Sequence, residues 1–121
     1  RNSEKEIISK KKYLNYSSLL KSCDIGLSTV LIETNLIKKN LFPNLKTKED
    51  YVVWLQITKK EIHAYCLNEI LVIWNNSKDS LSSNTIQKIL DGYTVYRVYE
   101  KFSLLKSFFL LIVLSLNSIR K

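Results

Sequence analysis

The residues best suited to chemistry in this chain gather around one acidic pair, Glu49 and Asp50, which precedes the apolar run of positions 51–55. Thr47 reads as the N-cap of a helix, with Asp50 three positions further on. The pair then falls in the first helical turn, where the positive end of the helix dipole favours anions. On this pattern alone two roles stand open: charges that complement a helix start, or a general base whose geometry is fixed by a rigid element. Other reactive groups are sparse. His63 is the single histidine, lies in an expected strand and reads as structural. Cys23 and Cys66 stand far apart and outside any C-x-x-C pattern, so with one histidine they cannot complete a zinc site and read as buried thiols.

The elements that must position these groups come from periodicity. Tyr13, Tyr16, Leu19 and Leu20 share one face of a short amphipathic helix. Leu27–Ile32 is rich in β-branched residues and reads as a strand, and Glu33 to Asn35 open another short helix. Pro43 makes Leu41–Lys46 a loop, since proline offers no amide hydrogen and biases its predecessor toward extended backbone. The helix carrying Glu49 and Asp50 follows. Ile62–Leu67 and Ile70–Trp74 read as two strands or one bent strand, residues 75–84 as a polar loop, and Thr85 to Arg97 as a helix that Gly92 weakens modestly. The apolar stretch Phe102 to Ile119 is too short for a confident membrane span, which needs about 20 apolar residues. It is expected either as a buried helix or as a helix lying on a membrane surface.

Composition sets outer bounds. The chain has 121 residues and is 45% hydrophobic, which suits one compact domain and excludes a disordered chain. It opens at Arg1, contains no Met and begins within a polar stretch, so it reads as a fragment. No secretion signal is recognisable at its start, and the default compartment is cytoplasmic. The net charge of +8 comes almost entirely from lysine. Such a field attracts nucleic acid, an acidic membrane or a nucleotide diphosphate alike. No nucleic-acid motif accompanies it, so a basic nucleic-acid module is the weaker reading.

The stretch Phe42-Pro-Asn-Leu-Lys-Thr-Lys-Glu-Asp-Tyr-Val-Val-Trp-Leu55 resembles a block of the bacterial family 2 glycosyltransferases, in which a loop like "FPN" leads into "ED", an aromatic residue and "WL". Asp24–Ile32 is similar to the acceptor-side strand that precedes this block, and Leu67–Val72 and Ser80–Asn84 to the segments after it. The likeness spans Tyr13 to Tyr99. It implies an α/β chain: the C-terminal half of a GT-A fold, with mixed strands, flanking helices and a C-terminal apolar helix. Residues 1–100 would form the acceptor side of the transferase domain, and residues 101–121 the apolar helix.

The same resemblance implies an inverting transfer from a nucleotide-sugar donor to a hydroxyl of a saccharide or lipid-linked acceptor, in cell-surface polysaccharide or lipopolysaccharide assembly at the inner face of the membrane. Asp50 takes the part of catalytic base, and Glu49, Ser28 and Thr29 that of acceptor contacts. The D-x-D motif that holds a divalent metal, Mg or Mn, belongs to the family's N-terminal half. No D-x-D occurs in this sequence, so the fragment alone is expected to bind no metal and to be inactive. Many relatives carry a "YR" pair that neutralises the donor diphosphate. Here the matching pair is Trp74-Asn75, which leaves Lys78 as the candidate phosphate contact and keeps a non-catalytic scaffold as an alternative.

Overall fold

The computed structural model describes residues 11–37, 42–75, 79–80 and 83–120. Among these, four α-helices and one short ladder form a mixed helix-and-strand chain: β1 (Tyr13–Leu14), α1 (Tyr16–Lys21), α2 (Glu49–Thr58), β2 (Ala64–Tyr65), α3 (Thr85–Thr94) and α4 (Leu104–Ile119). β1 and β2 pair antiparallel, with Tyr13 opposite Tyr65 and Leu14 opposite Ala64. Single 3-10 turns occupy Leu27–Thr29 and Thr34–Leu36, and a π-helical segment, Val95–Tyr99, continues α3.

α2 is the centre of the core because it is apolar on every side. Tyr51, Val52, Val53, Trp54 and Leu55 are consecutive and all buried, which only a helix surrounded by other elements can achieve. Leu14 and Leu19 pack around it from the N-terminal side, and Val95, Tyr96, Leu110 and Leu114 from the C-terminal side. Full burial of side chains this size is worth about 1.5–3 kcal/mol each. Trp54, whose flat ring could have stacked on sugar, is a core residue.

α1 survives at six residues because both of its ends are satisfied by side chains. Asn15 accepts from the Ser18 amide at 2.9 Å, and the Ser18 hydroxyl accepts from the Asn15 amide at 3.0 Å, a reciprocal cap. At the other end, the carbonyls of Leu19, Leu20 and Lys21 receive the Tyr51 hydroxyl, the Tyr96 hydroxyl and the Asn117 side-chain amide at 2.6, 2.7 and 2.8 Å. These are carbonyls that a helix terminus otherwise leaves orphaned.

Asn84 caps α3 by accepting from the Gln87 amide. The expected weakness at Gly92 has a packing counterpart: Gly92 is buried, and a Cβ there would lie 3.0 Å from Leu111 of α4, so the missing side chain lets the two helices approach. α4 is capped by Ser103 and buries Ser107, Leu110 and Leu114. Leu105, Phe109, Ile112, Leu116 and Ile119 form a second apolar stripe on α4 that is exposed. No helix among the described residues is long and apolar enough to cross a membrane.

Three expected strands take other forms. In Leu27–Ile32 the Thr29 amide and hydroxyl both donate to the Gly26 carbonyl, at 3.0 and 2.8 Å, closing a 3-10 turn in place of a ladder. Of Ile62–Leu67 only Ala64 and Tyr65 pair. Ile70–Trp74 runs without regular structure and leaves every side chain exposed, because β-propensity acts only where a neighbouring strand and a packed face exist. The two cysteines are also less buried than expected: Cys66 is exposed, Cys23 is half-buried, and no disulfide joins them.

Candidate active site

Glu49 and Asp50 open α2 as expected, but Thr47 is not its cap. The N-cap position is Lys48, which provides no side-chain cap and adopts a left-handed backbone, φ 64 and ψ 13. Thr47 is buried and committed elsewhere: its amide donates to Asp91 Oδ2 at 2.8 Å and its hydroxyl to the same oxygen at 2.7 Å. Asp91 Oδ1 accepts from the Gln87 side chain, one turn earlier on α3, at 2.9 Å. The chain is thus pinned at Thr47, turns sharply at Lys48 and enters α2 with its acidic pair. A left-handed residue other than glycine costs roughly 1–2 kcal/mol and persists only where its surroundings over-determine it.

Burial alone would raise the Asp91 carboxyl. The Thr47 hydroxyl and amide, the Gln87 amide and the charge of Lys46 outweigh that effect and hold it below the ordinary aspartate value. An ionised Asp91 therefore stands as a buried acceptor under the first turn of α2.

Asp50 is half-buried, and its Oδ1 accepts from the Tyr51 amide at 2.9 Å. Among the described residues its other oxygen has no hydrogen bond and the carboxylate no ion pair. The residue after it, Tyr51, is fully buried and extends to the Leu19 carbonyl and to the Tyr96 hydroxyl at 3.0 Å. Asp50 is held between two buried anchors, Thr47 before it and Tyr51 after it, with one carboxylate oxygen uncommitted. Such an arrangement can take a proton from a hydroxyl brought alongside.

Among the described residues, no hydrogen bond joins the other expected site residues to Asp50. Glu49 shares the first turn of α2 and is half-buried. Ser28 and Thr29 sit exposed on the 3-10 turn, not on a strand, and the Thr29 hydroxyl is already spent on Gly26. Lys78 lies outside the described residues. Trp74 and Asn75 are exposed, and exposed His63 stacks on Tyr13 with ring centroids 5.1 Å apart. Among the described residues, no three His, Cys, Asp or Glu side chains gather as a cation site would require.

Asp91 and Glu100 went unread in the sequence. Glu100 is buried and bonded by Lys59 at 3.0 Å and by the Tyr16 hydroxyl. The signal available was a carboxylate four residues after Gln87 on an otherwise amphipathic helix, a spacing that brings side chains together.

The chain is 31% identical over 108 residues to TuaG of Bacillus subtilis, a protein named for glycosyl transfer in teichuronic acid biosynthesis. The chain belongs to the bacterial glycosyltransferases. That match covers 89% of the chain and 43% of TuaG. Two Escherichia coli proteins, WfaP and WfgD, both named UDP-Glc:α-D-GlcNAc-diphosphoundecaprenol β-1,3-glucosyltransferases, are 34% and 32% identical over 64% and 81% of the chain. These matches cover 30% and 39% of the two relatives, so the chain spans less than half the length of each. No family model and no solved structure matches it.

Proposed function

We propose that this chain is the C-terminal, acceptor-side part of an inverting, family 2 transferase with a GT-A fold, and that Asp50 is its catalytic base. The observation that carries the reading is the Asp50 carboxylate, half-buried at the fixed start of a core helix with one oxygen uncommitted. An acceptor hydroxyl beside that oxygen would give up its proton as it attacks the anomeric carbon from the face opposite the leaving diphosphate. Glu49, one position earlier, and Ser28 and Thr29 are the acceptor contacts, and Lys78 is the candidate for donor phosphate.

The bare apolar run Ile70–Trp74 supports a larger domain, since exposed patches of this kind mark surfaces that something else covers. The nucleotide-sugar site and its Mg or Mn would then belong to the remainder of the transferase domain. By analogy with the named relatives, the donor is UDP-glucose or a similar nucleotide sugar, and the acceptor is a saccharide on a lipid diphosphate. The work would be done at the inner face of the cell membrane, in polysaccharide assembly. The exposed stripe of α4 fits that surface, because Lys106 and Arg120 stand beside it and would meet anionic headgroups.

The experiment is Asp50→Asn in the complete transferase. Turnover should fall at least about 100-fold, the scale of losing a general base, while UDP-glucose titration shows donor binding retained. Preserved turnover would refute the assignment.

A further inference from the structure

We propose that Asp91 is a positioning residue for the reaction, holding the Asp50 carboxylate in place through Thr47; the proposal rests on the reading of Asp50 as the base. In this role Asp91 acts through Thr47 and not on the reacting groups. It is 5% exposed, on α3, and its whole hydrogen-bonding capacity toward α2 is directed at the residue three positions before Asp50.

The geometry has three linked parts. Thr47 gives Asp91 both its amide and its hydroxyl, so backbone and side chain are fixed together. Gln87 orients the other oxygen of Asp91 at 2.9 Å, leaving the carboxylate little freedom to rotate. Between Thr47 and the acidic pair lies a single strained residue, Lys48, whose ammonium sits 5.6 Å from the Tyr51 ring centroid. The first α-helical hydrogen bond of α2, from the Val52 amide to the Lys48 carbonyl, is long at 3.3 Å. The opening turn therefore depends on the clamp outside it. Release of Thr47 would let Lys48 relax from the left-handed region and swing the first turn, Asp50 included. A displacement of about 1 Å at a reacting group can lower a rate on the order of 100-fold.

The test uses the complete transferase with Asp91→Ala, Asp91→Asn and Thr47→Val, alone and with Asp50→Asn. Hydrogen exchange is read at the Val52 and Val53 amides and at α4 as control. Turnover is read with UDP-glucose and an α-GlcNAc-diphosphoundecaprenol acceptor. Asp91→Ala should accelerate exchange at Val52 about tenfold or more with α4 unaffected, and lower kcat about 10- to 100-fold with little change in KM. Asp91→Asn, which keeps an acceptor oxygen for Thr47, should recover part of the loss. Adding Asp91→Ala to Asp50→Asn should lower kcat no further, since a base that is absent cannot be misplaced.

Unchanged exchange at Val52, or losses that multiply in the double variant, would overturn the proposal. Should Asp91→Ala unfold the protein, Thr47→Val decides: it removes the hydroxyl bond alone and should shift exchange and kcat several-fold in the same directions, and no shift overturns the proposal. Failure of the base reading has its own signature. Asp50→Asn then keeps full turnover while exchange at Val52 still responds to Asp91→Ala.

Discussion

The hydroxyl of Tyr96 donates to the carbonyl of Leu20 at 2.7 Å, joining residues 76 positions apart through the middle of the core. The Tyr51 hydroxyl makes the equivalent bond to Leu19, and the two hydroxyls stand 3.0 Å from each other. Two protons thus serve three short contacts, and the pair acts as one unit. Tyr51→Phe and Tyr96→Phe should each destabilise the chain by about 1–2 kcal/mol by leaving a buried carbonyl unbonded. The double variant should cost less than the sum, read from urea midpoints at constant m value.

The same pair predicts alkaline behaviour. Burial raises the Tyr96 hydroxyl to about 12 and Tyr51 further still, the latter also through the neighbouring Tyr96. The folded chain therefore holds protons that the unfolded chain releases from about pH 10. The stability contributed by these hydroxyls is complete below pH 10 and falls as pH rises through the folded value near 12. Asp91 acts in the opposite direction. Its folded value is depressed, so its contribution is present above the ordinary aspartate value and is lost as pH falls through the lower one. Circular dichroism at graded pH should show Tyr96→Phe flattening the alkaline limb and Asp91→Asn the acid limb.

Lys48 offers a test of backbone strain. Its left-handed conformation suits asparagine or glycine and penalises β-branched side chains. Lys48→Asn should be within about 0.5 kcal/mol of the parent, whereas Lys48→Ile should destabilise by about 1–2 kcal/mol. Thermal melting of the two variants checks the difference.

How far the sequence spoke depended on whether a signal was local. The helix at Glu49, its acidic first turn, the helix from Thr85 and the apolar helix ending at Ile119 were legible, because apolar period and residue type are written in neighbouring residues. The strands expected at positions 27–32 and 70–74 do not form, since a strand exists only with a partner that β-branched residues cannot specify. Thr47 was misassigned for a related reason: its distant partner Asp91 is 44 positions away and outcompetes the local cap. The acidic pair could be found from its type and place. The clamp that holds it could not, because nothing near Thr47 announces an aspartate on another helix.

The exposed stripe of α4 gives a binding prediction. The chain should bind vesicles containing phosphatidylglycerol and release them at high salt, with little binding to zwitterionic vesicles. Replacing exposed Leu105 and Phe109 with Asp should reduce binding at least about tenfold, combining lost apolar burial with like-charge repulsion. Co-sedimentation measures it, and equal binding of the variant would remove α4 from the membrane contact.

The capping of α1 by side chains of α2, the π-helical segment and α4 constrains the order in which the protein can assemble. Its three donors arrive 32, 76 and 96 positions after the carbonyls they meet. A growing polypeptide therefore carries α1 as an unfinished piece until Asn117 has left the ribosome, and a chain cut short before α4 forfeits structure 96 positions earlier.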